Sequence, residues 1–327
     1  MKTKHLTVVI PCYRVPITIT DLIRETLTYV DRIVVVDDAC PNRTADHVEN
    51  VFQNDERVVV LRNEVNKGVG GATIRGYLEA IDLGTDIIIK LDGDGQMDPQ
   101  YIRRLVHPIR IGIADFTKAN RFYDREALKS MPIIRRIGNI ALSVICKSVT
   151  GFWHLSDPTN GFTAINAKAL KQVNLDKVYR DYFFEISMLI RLNTIRATTM
   201  DVPIPALYGD GGSSLNIGKI LRSFPIHLIR GFCARLFWRY LVYDINAVTV
   251  FLLIGSLFLG FGFGWGVYHW AASIYTGVAQ TAGTVAVAFL PIILGFQMLL
   301  QALLLDVIDK PSHLISHQIE DSDTDSD

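Results

Sequence analysis

Between Ile245 and Leu305 the chain carries no Asp, Glu, Lys or Arg, whereas the first two hundred residues carry charge throughout. That contrast excludes an ordinary soluble globule and equally a fully embedded transporter. It describes a water-soluble front domain with a membrane tail. The first candidate span, about Ala247 to Trp270, would measure roughly 36 Å as a helix, enough to cross a ~30 Å hydrocarbon core. The second, about Thr284 to Leu305, contains Pro291, Gln297 and Gln301, which are tolerated where they face a neighbouring helix. The loop between, Ala271 to Gly283, has no Lys or Arg, basic residues precede the first span, and Lys310 follows the second. The positive-inside rule then leaves both ends cytoplasmic in a multi-pass protein of the cell membrane. The alternative is a buried soluble hairpin. Gly262 and Gly266, in Gly-x-x-x-Gly spacing, permit close helix contact and with it a homo-oligomer, or simply reflect how common glycine is in spans.

The rest of the chain is balanced, with 33 basic and 33 acidic residues in 327, so no basic excess points to nucleic acid. The four cysteines (Cys12, Cys40, Cys146, Cys233) have no C-x-x-C spacing and read as reduced cytosolic thiols. Met1 to His5 runs straight into a short apolar strand, without the apolar stretch and cleavage site of a signal peptide, so the front domain is expected in the cytosol. Lys219, Arg222, Arg230, Arg235 and Arg239 are interleaved with Ile, Leu, Phe and Trp. They read as a basic amphipathic helix on a membrane surface, or as a soluble helix with a solvated basic face. Glu320 to Asp327 is a solvated acidic tail.

Within the front domain, β-branched runs recur at Leu6–Ile10, Ile33–Val36, Val58–Leu61 and Ile87–Leu91, separated by amphipathic stretches such as Thr20–Val30 and Ala72–Asp82. The alternation predicts an α/β fold: a mostly parallel sheet with helices on both faces. Ligands of such sheets sit at the carboxyl ends of the strands. Those ends hold Pro11-Cys-Tyr-Arg14, Asp37-Asp38, Asn63 to Gly71, and Asp92-Gly-Asp-Gly-Gln96.

Asp92-Gly93-Asp94 is the sharpest signal. Asp-x-Asp spacing aims two carboxylates the same way from an extended chain, and two hard oxygen ligands with open positions suit Mg²⁺ or Mn²⁺ shared with substrate phosphates. An ordinary acidic turn is the alternative. One of Asp37 and Asp38 is placed to accept from a nucleobase or ribose while the other caps the next helix. Asn66-Lys67-Gly68-Val-Gly-Gly71-Ala72 reads as backbone approaching an anion at a helix N-terminus. It follows the third strand, lacks G-x-G-x-x-G, and has no Gly-Lys-Ser/Thr, so a nicotinamide dehydrogenase and a P-loop NTPase are poor readings.

The order P-x-Y, Asp-Asp, N-x-G-x-G-x-A, then D-x-D resembles the GT-A nucleotide-sugar transferases of glycosyltransferase family 2 over about Leu6 to Ser214. Asp92-Gly-Asp-Gly-Gln-Met-Asp-Pro99 resembles the branch that makes polyprenyl-phosphate sugars, whose bacterial members often carry a two-span tail. The resemblance implies a Rossmann-like catalytic domain followed by interfacial helices and two transmembrane helices. It implies that Pro11, Tyr13, Asp37, Asp38, Asn66, Lys67, Gly68, Gly71, Asp92 and Gly93 line the nucleotide-sugar site, with Asp38 reading the base. Asp92, Asp94 and Gln96 would hold Mg²⁺ or Mn²⁺ and the diphosphate, and Arg121 would contact phosphate. Arg135, Arg136 and Asn139 would sit where the family binds the lipid phosphate, or form a membrane-facing basic patch. The chain departs from the family's P-x-Y-N-E with Pro11-Cys-Tyr-Arg-Val15, so the usual Glu beside the nucleotide is missing.

Ser156-Asp-Pro-Thr-Asn-Gly-Phe162 resembles the family's acceptor-facing segment, and Glu185 occupies a region where relatives place an acid by the reaction centre. Asp157 or Glu185 would serve as base for a hydroxyl acceptor; a phosphate monoester needs none. Tyr208 to Ser214 is a flexible loop over the donor or a linker, and His154 and His227 lack partners at metal-ligand spacing. The resulting expectation is a metal-dependent, inverting hexosyltransferase that moves a sugar from a UDP- or GDP-sugar to polyprenyl phosphate on the cytoplasmic face. Its parts would be a catalytic domain over 1–214, juxtamembrane helices over 215–244, a membrane hairpin over 245–307 and a cytosolic tail over 308–327. The rivals are transfer to a hydroxyl of a lipid-linked saccharide or growing glycan, and a non-catalytic membrane scaffold.

Overall fold

The computed structural model of the chain describes residues 4–15, 18–123, 133–205, 217–311 and 313–315. It forms two compact units, Met1–Arg235 with Pro311–Asp327, and Leu236–Lys310. The first is built on seven strands: β1 (Leu6–Cys12), β2 (Arg32–Asp37), β3 (Val58–Arg62), β4 (Ile87–Lys90), β5 (Phe116–Asn120), β6 (Thr163–Asn166) and β7 (Thr199–Pro203). They lie in the order β3-β2-β1-β4-β6-β5-β7. All pairings are parallel except those of β6, which runs antiparallel to both β4 and β5.

Alternation along the strands sorts the core into two layers, because successive side chains leave opposite faces. Val8, Ile10, Ile33, Val35, Ile87 and Ile89 point into one layer. There they meet Ile19 and Ile23 of α1 (Ile19–Thr26), Val48 of α2 (Thr44–Phe52), and Leu105 and Ile109 of α4 (Ile102–Arg110). Val9, Val34, Val36 and Ile88 point into the other, against α3 (Gly68–Asp82) and α7 (Phe184–Thr194). Burial on both faces explains why these strands read as unbroken apolar runs. Pro11 fits inside β1 because pairing with β4 ends at Val9 and Lys90, so no partner there awaits an N–H.

Between α4 and α7 lie α5 (Ile133–Thr150) and the short α6 (Ala167–Gln172). α8 (Ile217–Leu236) belongs to the first unit: Phe224, Leu228 and Phe232 pack on Tyr179, Phe183, Ile186 and Ile190. Arg235 is buried and donates to the Ser148 carbonyl in the last turn of α5, a favourable place for a cation at a helix C-terminus. The expected basic face is thus only partly solvated. Arg230 is exposed, Arg235 and Arg239 are buried, and the side chains of Lys219 and Arg222 lie outside the described residues. After the second unit the chain returns to the first. Leu314 and Ile315 are buried, Ile315 N–H donates to Asp115 (3.1 Å), and Thr198 donates to the His313 carbonyl (3.1 Å). The acidic residues from Glu320 onward lie outside the described residues.

The second unit opens with a π-helical stretch, Phe237–Tyr243, then α9 (Ala247–Thr276) and α10 (Ala282–Ile308). A capping box at Asn246 starts α9, and Gly277 (φ 69°) ends it six residues beyond the expected Trp270. Both helices have a mean hydropathy of 2.1, and only 22% and 11% of their most apolar windows are buried. A soluble core helix would hide those side chains, so these two helices are candidate membrane spans. They meet backbone to backbone: a Cβ at Gly262 would lie 2.7 Å from the Ala288 carbonyl, and one at Gly295 2.7 Å from that of Gly255. The Gly-x-x-x-Gly face offered above for a homo-oligomer is therefore occupied by the chain's own second span. At the foot of the pair, Arg239 binds Asp309 (2.6 Å) and the Tyr240 hydroxyl donates to Asp306 (2.5 Å).

Gly76 marks where α3 presses most closely on the sheet, since a Cβ there would lie 2.3 Å from Val9 Cγ1. Glycine to alanine in an exposed helix gains about 1 kcal/mol. Here overpacking reverses the sign, and Gly76→Ala should lose about 1–3 kcal/mol, read as a lower thermal midpoint in detergent.

Candidate active site

The acidic turn after β4 forms one wall of a cavity of about 160 Å³ at the carboxyl edge of the sheet. Asp92, Asp94 and Gln96 line it from one side, Arg121 and Asn160 from the other. Gly95 (φ +75°) makes the reversal that lets the Gln96 N–H donate to Asp94 Oδ1 (3.0 Å). Burial against the wall pushes the Asp94 carboxyl above its ordinary range; the Gln96 N–H opposes this and the charge of Asp92 adds to it.

Asp92 is held from beneath. The buried Lys90 ammonium donates to Asp92 Oδ1 (2.5 Å) and reaches Glu185 Oε1 (3.2 Å) in the first turn of α7. Burial alone would lower the Lys90 pKa, but Asp92 and Glu185 more than offset it and leave Lys90 above the usual lysine range. Arg121, in the turn after β5, grips the fully buried Asp157 through Nε (2.7 Å) and Nη2 (3.1 Å). Asn160 and Thr159 also donate to Asp157, so both its oxygens are occupied.

The two carboxylates after β2 divide the work. Asp37 accepts from the Cys40 and Ala45 N–H groups and shapes the approach to α2. Asp38 Oδ1 accepts from Asn63 (2.6 Å) and from the Lys67 N–H (2.9 Å), tying β2 to the loop before α3. That loop, read from sequence as backbone approaching an anion, also has partners within the protein. The N–H groups of Gly70 and Gly71 both donate to the Arg180 carbonyl, and a Cβ at Gly70 would lie 2.5 Å from the Tyr179 carbonyl. These glycines admit a neighbouring strand of backbone. Gly93 packs tightly against Val15 and Cys12, and Tyr13 is exposed at the end of β1. The cavity brings together Asp92, Asp94, Gln96 and Arg121, but its lining does not include Asp37, Asp38, Asn66 or Lys67. Arg135, Arg136 and Asn139 belong to α5, but their side chains lie outside the described residues, as does all of the Tyr208–Ser214 loop.

The model of the family described as Glycosyl transferase family 2 matches residues 7–173, half of the chain. The chain belongs to this family. It is 28% identical over 221 residues to the UDP-N-acetylglucosamine–dolichyl-phosphate N-acetylglucosaminyltransferase of Methanococcus voltae, covering 64% of this chain and 88% of that one. It is 29% identical over 205 residues to the undecaprenyl-phosphate mannosyltransferase of Micrococcus luteus, covering 62% and 83%. Among solved structures, mannosyl-3-phosphoglycerate synthase from Rubrobacter xylanophilus superposes with a TM-score of 0.53 at 16% identity, covering 74% of this chain and 77% of that one. The GT-A architecture is thereby established, and the family 2 domain is a glycosyltransferase.

Two site residues escaped the sequence reading. Lys90 and Lys118 each sit in a short strand and are about 1% exposed; Lys90 carried a signal, a lysine closing an apolar run, whereas Lys118 lies among Thr117 and Asn120 and carried none. Lys118 donates to the Asn160 carbonyl beside the cavity. Burial pushes its pKa down to about 8, with Glu185 and Asp157 partly opposing. Below pH 8 the folded domain bears the full penalty of a buried ammonium. As pH rises from 8 toward about 10.4 the unfolded chain still holds that proton, so folding gains from this group. Against Lys118→Met, the family 2 domain should therefore gain about 2 kcal/mol between pH 7.5 and 10, measured as paired denaturation curves at those two pH values.

Proposed function

We propose that this family 2 member is a membrane-anchored, metal-dependent, inverting transferase that moves one sugar from a UDP- or GDP-sugar to polyprenyl phosphate at the cytoplasmic membrane face. The observation that carries the reading is the single cavity in which the Asp92–Gln96 turn faces Arg121. One side offers oxygen ligands and the other a guanidinium, the arrangement a departing diphosphate requires. The two relatives, one named for dolichyl phosphate and one for undecaprenyl phosphate, support the acceptor class.

The donor set fits a hard divalent cation. Asp92, Asp94 and Gln96 present oxygens from one turn, while among the described residues no three His, Cys, Asp or Glu gather to hold an ion alone. Substrate oxygens would complete the shell, as Mg²⁺ and Mn²⁺ favour. When bound, the cation would neutralise charge on the diphosphate. The chain does the rest. Asp38 accepts from the base, and Asp157 fixes Arg121 toward the leaving group. An acceptor oxygen attacks C1 from the opposite side as the bond from C1 to the diphosphate oxygen breaks.

The choice of phosphate over hydroxyl rests on what the candidate bases are doing. Asp157 is engaged by Arg121 and Glu185 by Lys90. A phosphate monoester is already ionised near neutral pH and needs neither. A polyprenyl tail keeps its phosphate at the headgroup plane, and α9 and α10 keep the enzyme there. Exposed Ile226, Ile229 and Arg230 on α8 suit an interfacial position. Residues 1–214 would do the chemistry, 215–244 lie at the interface, 245–307 cross the bilayer, and 308–327 return to the cytosol.

Detergent-purified protein should transfer radiolabelled sugar from one member of a UDP- and GDP-sugar panel into the organic phase. Transfer should require undecaprenyl phosphate and Mn²⁺ or Mg²⁺, cease with EDTA, and fall at least about 100-fold in Asp94→Asn. Saturable donor binding without lipid label would overturn the acceptor assignment.

A further inference from the structure

The base role offered for Glu185 does not account for where it sits. Glu185 points at a buried ammonium, and that ammonium points at the first carboxylate of the acidic turn. Lys90, Asp92 and Glu185 form a chain of contacts at 2.5 and 3.2 Å that joins the end of β4 to the start of α7, 95 residues away. Lys90 is 1% exposed, Glu185 14% and Asp92 28%, so the chain runs from the interior to the cavity wall. Gly161 is shaped around it: a Cβ there would lie 2.4 Å from Asp92 Oδ2 and 2.7 Å from Lys90 Nζ. No residue but glycine leaves room for the pair. Among the described residues, Lys118 from β5, Tyr77 from α3, Asp94 of the acidic turn and Cys12 of β1 are further titratable groups that face it.

We propose that Lys90 and Glu185 are positioning residues that set the direction and the net charge of Asp92 toward the cation and diphosphate. This rests on the metal-assisted reading above. The ammonium takes Asp92 Oδ1, which fixes the carboxylate plane and leaves Oδ2 beside Gly161 at the cavity. Taken alone, that ammonium would cancel the charge of Asp92 and repel a cation. Glu185 balances it, so the three groups together carry one negative charge. Glu185→Gln makes that sum zero, Lys90→Met makes it minus two, and the double variant restores minus one. A unit charge several ångströms from a divalent cation near a protein surface alters affinity on the order of tenfold.

The test is Mn²⁺ binding alone, without donor, followed by electron paramagnetic resonance on full-length protein in detergent at pH 6.5, where Lys118 is protonated. The apparent Kd should rise about tenfold in Glu185→Gln and fall below the wild-type value in Lys90→Met. In the double variant it should return to within about threefold of wild type, although turnover drops in all three: in Glu185→Gln because the cation binds less tightly, and in both Lys90 variants because Asp92 is no longer held. In Glu185→Gln, Lys90 keeps Asp92 as its partner, and in the double variant both members of the pair are neutral, so these two report even if Lys90→Met fails to fold. Lost turnover in Glu185→Gln with an unchanged Mn²⁺ Kd would overturn the proposal and return Glu185 to the role of base. A double variant as weak as Glu185→Gln would also overturn it. A wild-type protein that binds no Mn²⁺ would overturn the metal reading itself, and the proposal with it.

Discussion

A lysine ammonium buried at the end of a central strand is tolerable only if opposite charge meets it, because uncompensated burial of an ion costs several kcal/mol. Lys90 imposes that requirement here, and much of the catalytic unit is arranged to satisfy it. Asp92 must turn back over the strand end, and α7 must begin where Glu185 can reach. The same segment that delivers Glu185 also delivers the Arg180 carbonyl to the N-terminus of α3. The acidic turn and the start of α7 thus meet at one buried charge, and the glycine loop receives the backbone that leads into α7. The pairing of Arg121 with Asp157 repeats the principle on the other side of the cavity, where an interior carboxylate holds a partly exposed guanidinium.

Much of this was legible in the chain because it depends on local pattern. The four parallel strands announced themselves by β-branched runs, the acidic turn by its spacing, and the hairpin by sixty residues without charge. The strands β5, β6 and β7 did not. They are short and carry buried Lys118, Asn120, Thr163 and Asn166, which no hydrophobic pattern marks as interior. The protein contacts of the glycine loop were not legible for a related reason. Its glycines answer to backbone at Tyr179 and Arg180, more than a hundred residues away, and nothing in the loop distinguishes that neighbour from a phosphate. Arg235 and Arg239 read as part of an exposed basic face, at a membrane surface or in solvent, because their partners, the Ser148 carbonyl and Asp309, lie 87 and 70 residues distant.

The second unit shows a similar economy of polar contacts. For candidate spans, apolar faces specify little by themselves, since in a bilayer lipid tails would compete equally for them. Specificity comes from glycine contacts midway along the hairpin, and from the Arg239, Tyr240, Asp306 and Asp309 cluster at its base. Threonine at the start of α9 adds to the cluster, with Thr249 donating to the Tyr240 carbonyl.

The return of His313 to Ile315 into the first unit bears on the order of events at the ribosome. These residues are made after both apolar helices, yet Ile315 joins the core cluster of Phe116 and Ile165, and its N–H joins that of Thr198 in occupying Asp115. The sheet can assemble while the nascent chain is still lengthening, but the last piece of its core does not exist until the hairpin has emerged. Completion of the first unit is therefore timed by the translation of the apolar hairpin that precedes its last piece.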